Sequence, residues 1–315
     1  DCSSVKGEFR GEVFLGGQKT RNKRPFINTP HYTSTLSIDS GVQIKMIPGD
    51  NEVRVEIDGP IMLITIDRPK VNAIDLATSR KLGEAFVYFR DNADLKVAII
   101  TGTGEKIFSA GWDLKALEKG EMTLENWWEV EDASLGGFAG ITEMWSLNKP
   151  VIAALNGLTI GGGFEIALAC DLIIAAEHVE FALPELPLGI IPDAGAMQRL
   201  PKRLPYNIAL EMLYLGRRMK AEEAAHYGLI NKVVPADELM DSAREWAAQM
   251  SQVAPIALQS IKEVLRAIEE ETIENSFDKM RNDDLPLYRA MLSSSDAEEG
   301  ITAFVEKRDA KFKGN

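Results

Sequence analysis

The sequence has few cysteines and histidines for its length. Among 315 residues there are two cysteines, Cys2 and Cys170, and three histidines, His31, His178 and His226. Two cysteines so far apart form no disulfide framework, which favours a reducing compartment and predicts a cytoplasmic protein. The same residues show no cluster with metal-ligand spacing, so we expect no metal site.

Long apolar runs and an excess of positive charge are also missing. No apolar run reaches the ~20 residues that a membrane-spanning helix needs. The 48 acidic and 35 basic residues give a formal net charge of −13. Such a chain is repelled by nucleic acids and by anionic membranes, so we expect neither as a partner. An anionic small ligand would need a local group of lysines and arginines.

The chain is 45% hydrophobic, which is enough to bury a sizeable core. Residues 1–52 differ from the rest, because turn-forming residues recur there and no helical period appears. A processed leader, a cloning remnant and a natural extension are all open for this segment. We assign residues 53–250 to an α/β core and residues 251–315 to a C-terminal helical lobe.

Apolar runs alternate with amphipathic stretches, which is typical of an α/β fold with a buried sheet. Strands are predicted at Val53–Ile57, Ile61–Ile66, Lys96–Thr101, Val151–Leu155 and Leu172–Ala175, and helices at Asp75–Asn92, Asp237–Met250, Pro255–Glu271, Ile273–Leu292 and Ala297–Lys307. The first two strands flank Asp58, Gly59 and Pro60, and this spacing predicts a hairpin turn.

The most informative segment runs from Asn156 to Glu165 and reads NGLTIGGGFE. Three glycines between a buried strand and a helix allow the backbone to approach a ligand closely. The start of a helix supplies unpaired N–H donors and partial positive charge, which suit an oxyanion. Glu165 falls in the first turn of that helix. Alternatively, the glycines only pack and Glu165 only complements the helix dipole.

Two further segments combine polar groups with apolar or tight surroundings. Glu185 lies between two prolines in FALPELPLGIIPDAGA, and small residues precede Trp112 in FSAGWDLK. The first pattern predicts a pocket carboxylate, and the second predicts a tight turn with exposed N–H groups. A solvated loop carboxylate and an ordinary strand-to-helix loop are the alternatives when each segment is taken alone.

Four segments, in this order, resemble the signatures of the enoyl-CoA hydratase (crotonase) family: FSAGWDLK, NGLTIGGGFEIALACDLIIAA, FALPELPLGIIPDAGAMQRL and EEAAHYGLINKVV. The resemblance extends from about Val53 to residue 315. It implies a crotonase (ClpP-like) α/β spiral of ββα turns, followed by a C-terminal helical trimerisation lobe. It also implies a hydro-lyase that forms a homotrimer or a dimer of trimers. Coenzyme A would enter as part of the acyl-CoA substrate, and no other cofactor is expected.

The resemblance also implies the residues of the site. It places the oxyanion hole at the N–H groups of Trp112 and Gly162, and the acid and base at Glu165 and Glu185. Having both glutamates favours hydration, with Glu165 activating water and Glu185 protonating the α-carbon; in dehydration these roles reverse. Contacts to coenzyme A are implied at Arg68, Lys70, Ala110, Lys115 and Lys307, the last from a neighbouring subunit. Solvated surface charge is the alternative for each of these cations.

Other segments resemble the branch of the family that interconverts carnitinyl-CoA with crotonobetainyl-CoA and water: RPKVNAID, TGTGEKIFSAGWDLKA, GGFAGITE, LGRRM and FVEKRD. Aromatic faces suit the trimethylammonium group of that substrate. We therefore assign Trp127, Trp128 and Trp145 to the acyl pocket, with ordinary packing as the alternative. Asp193, in PDAGA, is assigned to the pocket as well, where it either contacts the substrate or repositions Glu185. An isomerase of the same fold and a catalytically silent binding protein are the competing functions.

Overall fold

The computed structural model describes residues 35–37, 43–45, 52–118 and 135–315. Most of the predicted extension at residues 1–52 therefore lies outside the described residues, as do Trp127 and Trp128. Within these ranges no helix has both the length and the apolar character needed to cross a membrane.

Two β-sheets form the centre of the described chain. The larger has eight strands, in the order β1 (Thr35–Ser37), β2 (Gln43–Lys45), β3 (Val53–Asp58), β4 (Ile61–Ile66), β5 (Val97–Gly102), β7 (Val151–Leu155), β9 (Leu172–Ala176) and β12 (Lys232–Val234). The smaller has four, in the order β11 (Met219–Lys220), β10 (Glu180–Ala182), β8 (Leu158–Ile160) and β6 (Ile107–Ser109).

The larger sheet changes from antiparallel to parallel at β4. The β3–β4 hairpin turns at Gly59, which has a φ of 53°, as the turn residues predict. The pairs β4–β5, β5–β7, β7–β9 and β9–β12 are all parallel. Because β5 and β7 are buried along their whole length, they read in the sequence as continuous apolar runs.

The helices of the described residues lie between and after these strands along the chain. They are α1 (Leu76–Asp91), α2 (Leu114–Glu118), α3 (Gly162–Ala169), α4 (Ala196–Arg203), α5 (Tyr206–Leu215), α6 (Ala221–His226), α7 (Leu239–Ser251), α8 (Pro255–Ile268), α9 (Ile273–Asn282), α10 (Pro286–Leu292) and α11 (Ser295–Glu306). Helices α8 to α11 pack on one another. Asp75 caps α1 by accepting the N–H of Thr78 at 2.8 Å. Phe164 of α3 packs against Phe181 of β10, with ring centroids 5.0 Å apart.

The single helix predicted for Ile273–Leu292 is wrong, because α9 ends at Asn282 and α10 begins at Pro286. Proline has no N–H and disfavours helical backbone at the preceding residue. Leu285 accordingly has a φ of −110° and a ψ of 84°. No helix is predicted between residues 196 and 226, where α4, α5 and α6 lie. Pro201 inside α4 is a signal against a helix there.

Candidate active site

The start of α3 lies against the turn that follows β6. Gly161 precedes the helix with a φ of 55°, and its carbonyl accepts the N–H groups of Phe164 and Glu165 at 2.8 and 3.1 Å. Gly111 has a φ of 80°, and a Cβ there would lie 2.4 Å from the nitrogen of Gly162. Only glycine permits two backbones to approach this closely. The first turn of α3 and the Gly111 turn therefore form one packed unit.

The turn around Trp112 is anchored on both sides. Ile74 donates its N–H to the carbonyl of Gly111 at 2.8 Å, and Asp113 donates to the carbonyl of Ile74 at 2.9 Å. The Ser109 hydroxyl also accepts the N–H of Gly111, at 3.1 Å. These bonds hold the Trp112 peptide close to the start of α3, where the first N–H groups have no partner within the helix.

Glu165 lies in the first turn of α3 and is only 2% exposed. One carboxylate oxygen accepts the N–H of Ala196 at 3.0 Å. Burial raises the pKa of Glu165 to about 8, and the charges of Glu185 and Asp193 add to the rise. Backbone N–H groups of Ala194 and Ala196 oppose it in part. Glu165 therefore keeps its proton to a higher pH than an ordinary glutamate does.

Glu185 lies just before a short 3-10 turn, Leu186–Leu188, and is 8% exposed. Its Oε1 is 2.8 Å from the place that a Cβ on Gly161 would occupy, so the carboxyl reaches the start of α3. Its Oε2 is buried and has no hydrogen-bond partner among the described residues. Burial raises the pKa of Glu185 to about 7, and the charge of Asp193 contributes to the rise.

The structure thus places both predicted glutamates at the same helix N-terminus. Two neighbouring carboxyls with raised pKa can divide acid and base work, because one is protonated while the other is ionised. Asp193 is exposed in the turn before α4, and its charge influences both Glu165 and Glu185. Within the described ranges no group of three or more His, Cys, Asp or Glu is arranged to hold a metal ion.

Replacing Glu165 with glutamine is expected to stabilise the fold at neutral and alkaline pH. The folded pKa of about 8 lies above the ordinary value of 4.5. The free energy of unfolding therefore falls as pH rises between these two values, because the folded state keeps the proton longer. Glutamine carries no charge and removes this loss, a gain of roughly 2–4 kcal/mol at pH 8.

Thermal melts of the wild type and Glu165→Gln at pH 5 and pH 8 check this expectation. The gain in Tm should be clearly larger at pH 8 than at pH 5. A difference in Tm that is the same at both pH values would contradict the raised pKa of Glu165.

Most residues predicted to contact coenzyme A flank the Trp112 turn. Ala110 donates its N–H to the carbonyl of Val71 at 3.0 Å, which places the exposed Lys70 next to this turn. Lys115 is exposed in α2, directly after the turn. Lys307 is exposed at the end of α11, with a φ of 56°, and so lies in the C-terminal lobe.

Arg68 makes a set of internal bonds. Its guanidinium forms ion pairs with Asp75 and Asp113, both at 2.7 Å, and with Glu52 at 3.4 Å. It also donates to the carbonyl of Ala73 at 2.9 Å. Arg68 therefore links the segment before α1 to the segment that precedes α2. Its predicted contact with coenzyme A stays a prediction.

Phe138 packs on Gly162 and was not predicted as a site residue. Phe138 is fully buried, and its ring lies 2.6 Å from the place that a Cβ on Gly162 would occupy. Its ring centroid is 4.4 Å from that of Trp112. Three glycines with positive φ surround Phe138 in GGFAG and were a usable signal.

Trp145 is 64% exposed, and its ring lies 5.8 Å from the guanidinium carbon of Arg199.

A cavity of about 350 Å³ lies on the larger sheet. Its lining includes Thr65, Thr101, Asn156, His178 and Arg244. None of the predicted site residues lines this cavity.

Known proteins match most of the chain. The profile of the family described as enoyl-CoA hydratase/isomerase matches residues 56–315. The chain is 54% identical over 263 residues to the carnitinyl-CoA dehydratase of Salmonella arizonae, which covers 84% of this chain and 98% of that protein. The identity to the carnitinyl-CoA dehydratase of Salmonella paratyphi A is also 54%, over 257 residues, 82% of this chain and 96% of that protein.

Solved structures show the same relationship. An enoyl-CoA hydratase from Bacillus anthracis has a TM-score of 0.75 and 34% identity, and covers 84% of this chain and 100% of its own. An enoyl-CoA hydratase from Mycobacterium tuberculosis has a TM-score of 0.76 and 36% identity, with the same coverage. The predicted family and fold class are confirmed. The chain therefore belongs to the enoyl-CoA hydratase/isomerase family and is a hydro-lyase with the crotonase fold.

Proposed function

We propose that this chain catalyses the reversible hydration of a short-chain 2-enoyl-CoA, namely the interconversion of carnitinyl-CoA with crotonobetainyl-CoA and water. The observation that carries the proposal is the pair of buried carboxyls with raised pKa, Glu165 and Glu185, at the start of α3. The 54% identity to two carnitinyl-CoA dehydratases supports the choice of acyl group.

The thioester oxygen is bound by the N–H groups of Trp112 and Gly162. Gain or loss of a proton at the α-carbon builds enolate charge on that oxygen, and N–H donors already in position stabilise it. The partial positive charge at the start of α3 acts in the same direction. The close packing of Gly111 on Gly162 supports this assignment.

The two glutamates transfer the protons. In dehydration, Glu185 removes the proton from the α-carbon and protonated Glu165 gives its proton to the departing hydroxyl, which leaves as water. In hydration, Glu165 activates water for attack on the β-carbon and Glu185 protonates the α-carbon. Burial raises the pKa of both glutamates, and the charge of Glu185 adds to the rise at Glu165, so the two carboxyls titrate as a coupled pair. Dehydration starts from the state of the pair in which Glu165 is protonated and Glu185 is ionised.

Coenzyme A lies along the Trp112 turn. Lys70 and Lys115 are exposed and can bind phosphate groups. Ala110 donates its N–H to the carbonyl of Val71, the residue that follows Lys70. Arg68 contributes by positioning the turn through its ion pairs with Asp75 and Asp113.

The protein assembles as a homotrimer or a dimer of trimers, in which Lys307 binds coenzyme A from a neighbouring copy. Ile301, Phe304 and Val305 of α11 are 69%, 85% and 73% exposed, and such apolar surface supports self-association. We also propose a cytoplasmic location. The free, buried thiol of Cys170 fits a reducing compartment.

The wild-type protein is expected to hydrate crotonobetainyl-CoA with a kcat/KM about 10-fold or more above that for crotonyl-CoA. Initial rates at matched concentrations measure this ratio. A preference for crotonyl-CoA would make the protein a general short-chain hydratase. If well-folded protein turned over neither compound, the hydratase proposal would be wrong and an isomerase or a binding protein would replace it.

A further inference from the structure

Three carboxyl groups lie near one another at the start of α3, where the proposed function places the acyl chain of the substrate. Glu165 and Glu185 are the buried pair, and Asp193 is the third. Asp193 stands three residues before Ala196, whose N–H is bonded to Glu165 at 3.0 Å. The N–H of the next residue, Ala194, also acts on the Glu165 carboxyl. The Asp193 turn therefore packs directly against Glu165.

In the proposed substrate, the positive charge lies close to the reacting carbon. The ammonium nitrogen is two bonds from the β-carbon, a distance of about 2.5 Å. The water that attacks the β-carbon is hydrogen-bonded to the carboxyl that activates it. The cation therefore lies within roughly 6 Å of that carboxyl. At this distance the cation interacts electrostatically with these carboxyl groups.

Three neighbouring carboxyls are costly when the acyl group is neutral. The Oε2 of Glu185 is buried and accepts no hydrogen bond from the described part of the chain. Arg199 is a cation whose charge interacts with Glu165, and it is bonded to the carbonyl of Thr142 at 2.5 Å. A cation brought by the substrate would offset the remaining repulsion. Asp193 is the carboxyl that the proton transfers do not use.

We infer that Asp193 selects the charge of the acyl group, with its carboxylate facing the quaternary ammonium and favouring a cationic acyl-CoA over a neutral one of the same shape. The inference rests on the proposed function, which places the acyl chain beside the two glutamates. Asp193 then acts on specificity, while Glu165 and Glu185 carry the chemistry.

The test compares two acyl-CoA ligands that differ only in charge. They are 4-trimethylammoniobutanoyl-CoA and its neutral carbon isostere, 5,5-dimethylhexanoyl-CoA, which are both saturated and cannot be hydrated. Calorimetry gives their Kd for the wild type and for Asp193→Asn. Asp94→Asn is the control, because it removes the same charge from an exposed loop between α1 and β5.

The wild type is expected to bind the cationic ligand about 10–100-fold more tightly than the neutral one. Asp193→Asn should bring this ratio of Kd values close to one, mainly by weakening the binding of the cationic ligand. Asp94→Asn should leave the ratio unchanged. Asp193→Glu keeps the charge and should keep most of the selectivity, and thermal melts establish that each variant is folded.

If Asp193→Asn weakened the binding of both ligands equally, the inference would be overturned, because Asp193 would then only support the turn. A wild-type ratio near one would overturn it as well. Hydration assays on the same proteins separate this inference from the proposed function. Charge-selective binding without any hydration would refute the hydratase activity and support charge selection by Asp193. Hydration without charge-selective binding would support the hydratase activity and refute charge selection.

Discussion

Replacing either Glu165 or Glu185 with glutamine is expected to lower kcat for the hydration of crotonobetainyl-CoA by about 10²–10⁴-fold. Glutamine has nearly the size of glutamate but can neither take up nor release a proton. In the proposed mechanism, each direction of the reaction needs one carboxyl as base and the other as acid, so the loss of either removes one proton transfer. Because substrate binding depends on other groups, KM should change much less than kcat.

Stopped-flow or steady-state rates for the wild type and the two variants measure this effect. Glu177→Gln is the matched control, because Glu177 is an exposed glutamate that follows β9. It should keep wild-type kcat. If only one of the two glutamates proved essential, an isomerase with a single working carboxyl would explain the site better. If KM rose while kcat stayed constant, the glutamates would serve binding and not chemistry.

The two carboxyls that are proposed to carry out the reaction also weaken the folded state. Burial without full hydrogen bonding raises the pKa of Glu185, and burial next to other charges raises that of Glu165. Each shift costs stability once the pH exceeds the ordinary pKa of a glutamate. Glu165→Gln is therefore expected to lower the proposed activity and to raise stability at once, a trade-off that is common where a residue serves function at the expense of stability.

Much of the candidate site could be predicted from the sequence because its key groups are local. Three consecutive glycines before Glu165 identify the helix start, and the position of Glu185 between prolines marks a constrained carboxyl. Spacing along the chain is enough for such features, since a helix N-terminus and a tight turn are set by a few neighbouring residues. The buried strands β5 and β7 were predictable for the same reason.

Partners that come from distant parts of the chain could not be predicted in this way. The N–H of Ala196 reaches Glu165 across 31 residues, and Phe138 packs on Gly162. Arg68 was expected to contact coenzyme A, yet it is surrounded by three carboxylates of its own chain. The type of residue does not reveal its partner, because tertiary packing determines which charges meet.

Substitution of Gly111 by alanine is expected to lower kcat by about 10²–10³-fold, the loss typical of removing one oxyanion donor. The new Cβ would lie 2.4 Å from the nitrogen and 2.9 Å from the Cα of Gly162. Contacts this short force the Trp112 turn away from the start of α3. The two N–H groups proposed to bind the thioester oxygen would then no longer point to a common place.

Backbone strain alone must be separated from this displacement. Gly111 has a φ of 80°, and an alanine in this region costs about 1–2 kcal/mol of stability wherever it is placed. Gly228 is the matched control, because it has a φ of 75° and, beyond its chain neighbours, no atom within 4 Å of the place that an alanine Cβ would occupy. Gly228→Ala should lose similar stability and keep wild-type kcat. If both variants lost activity equally, strain would explain the effect, and the packing of Gly111 on Gly162 would have no special part in stabilising the enolate.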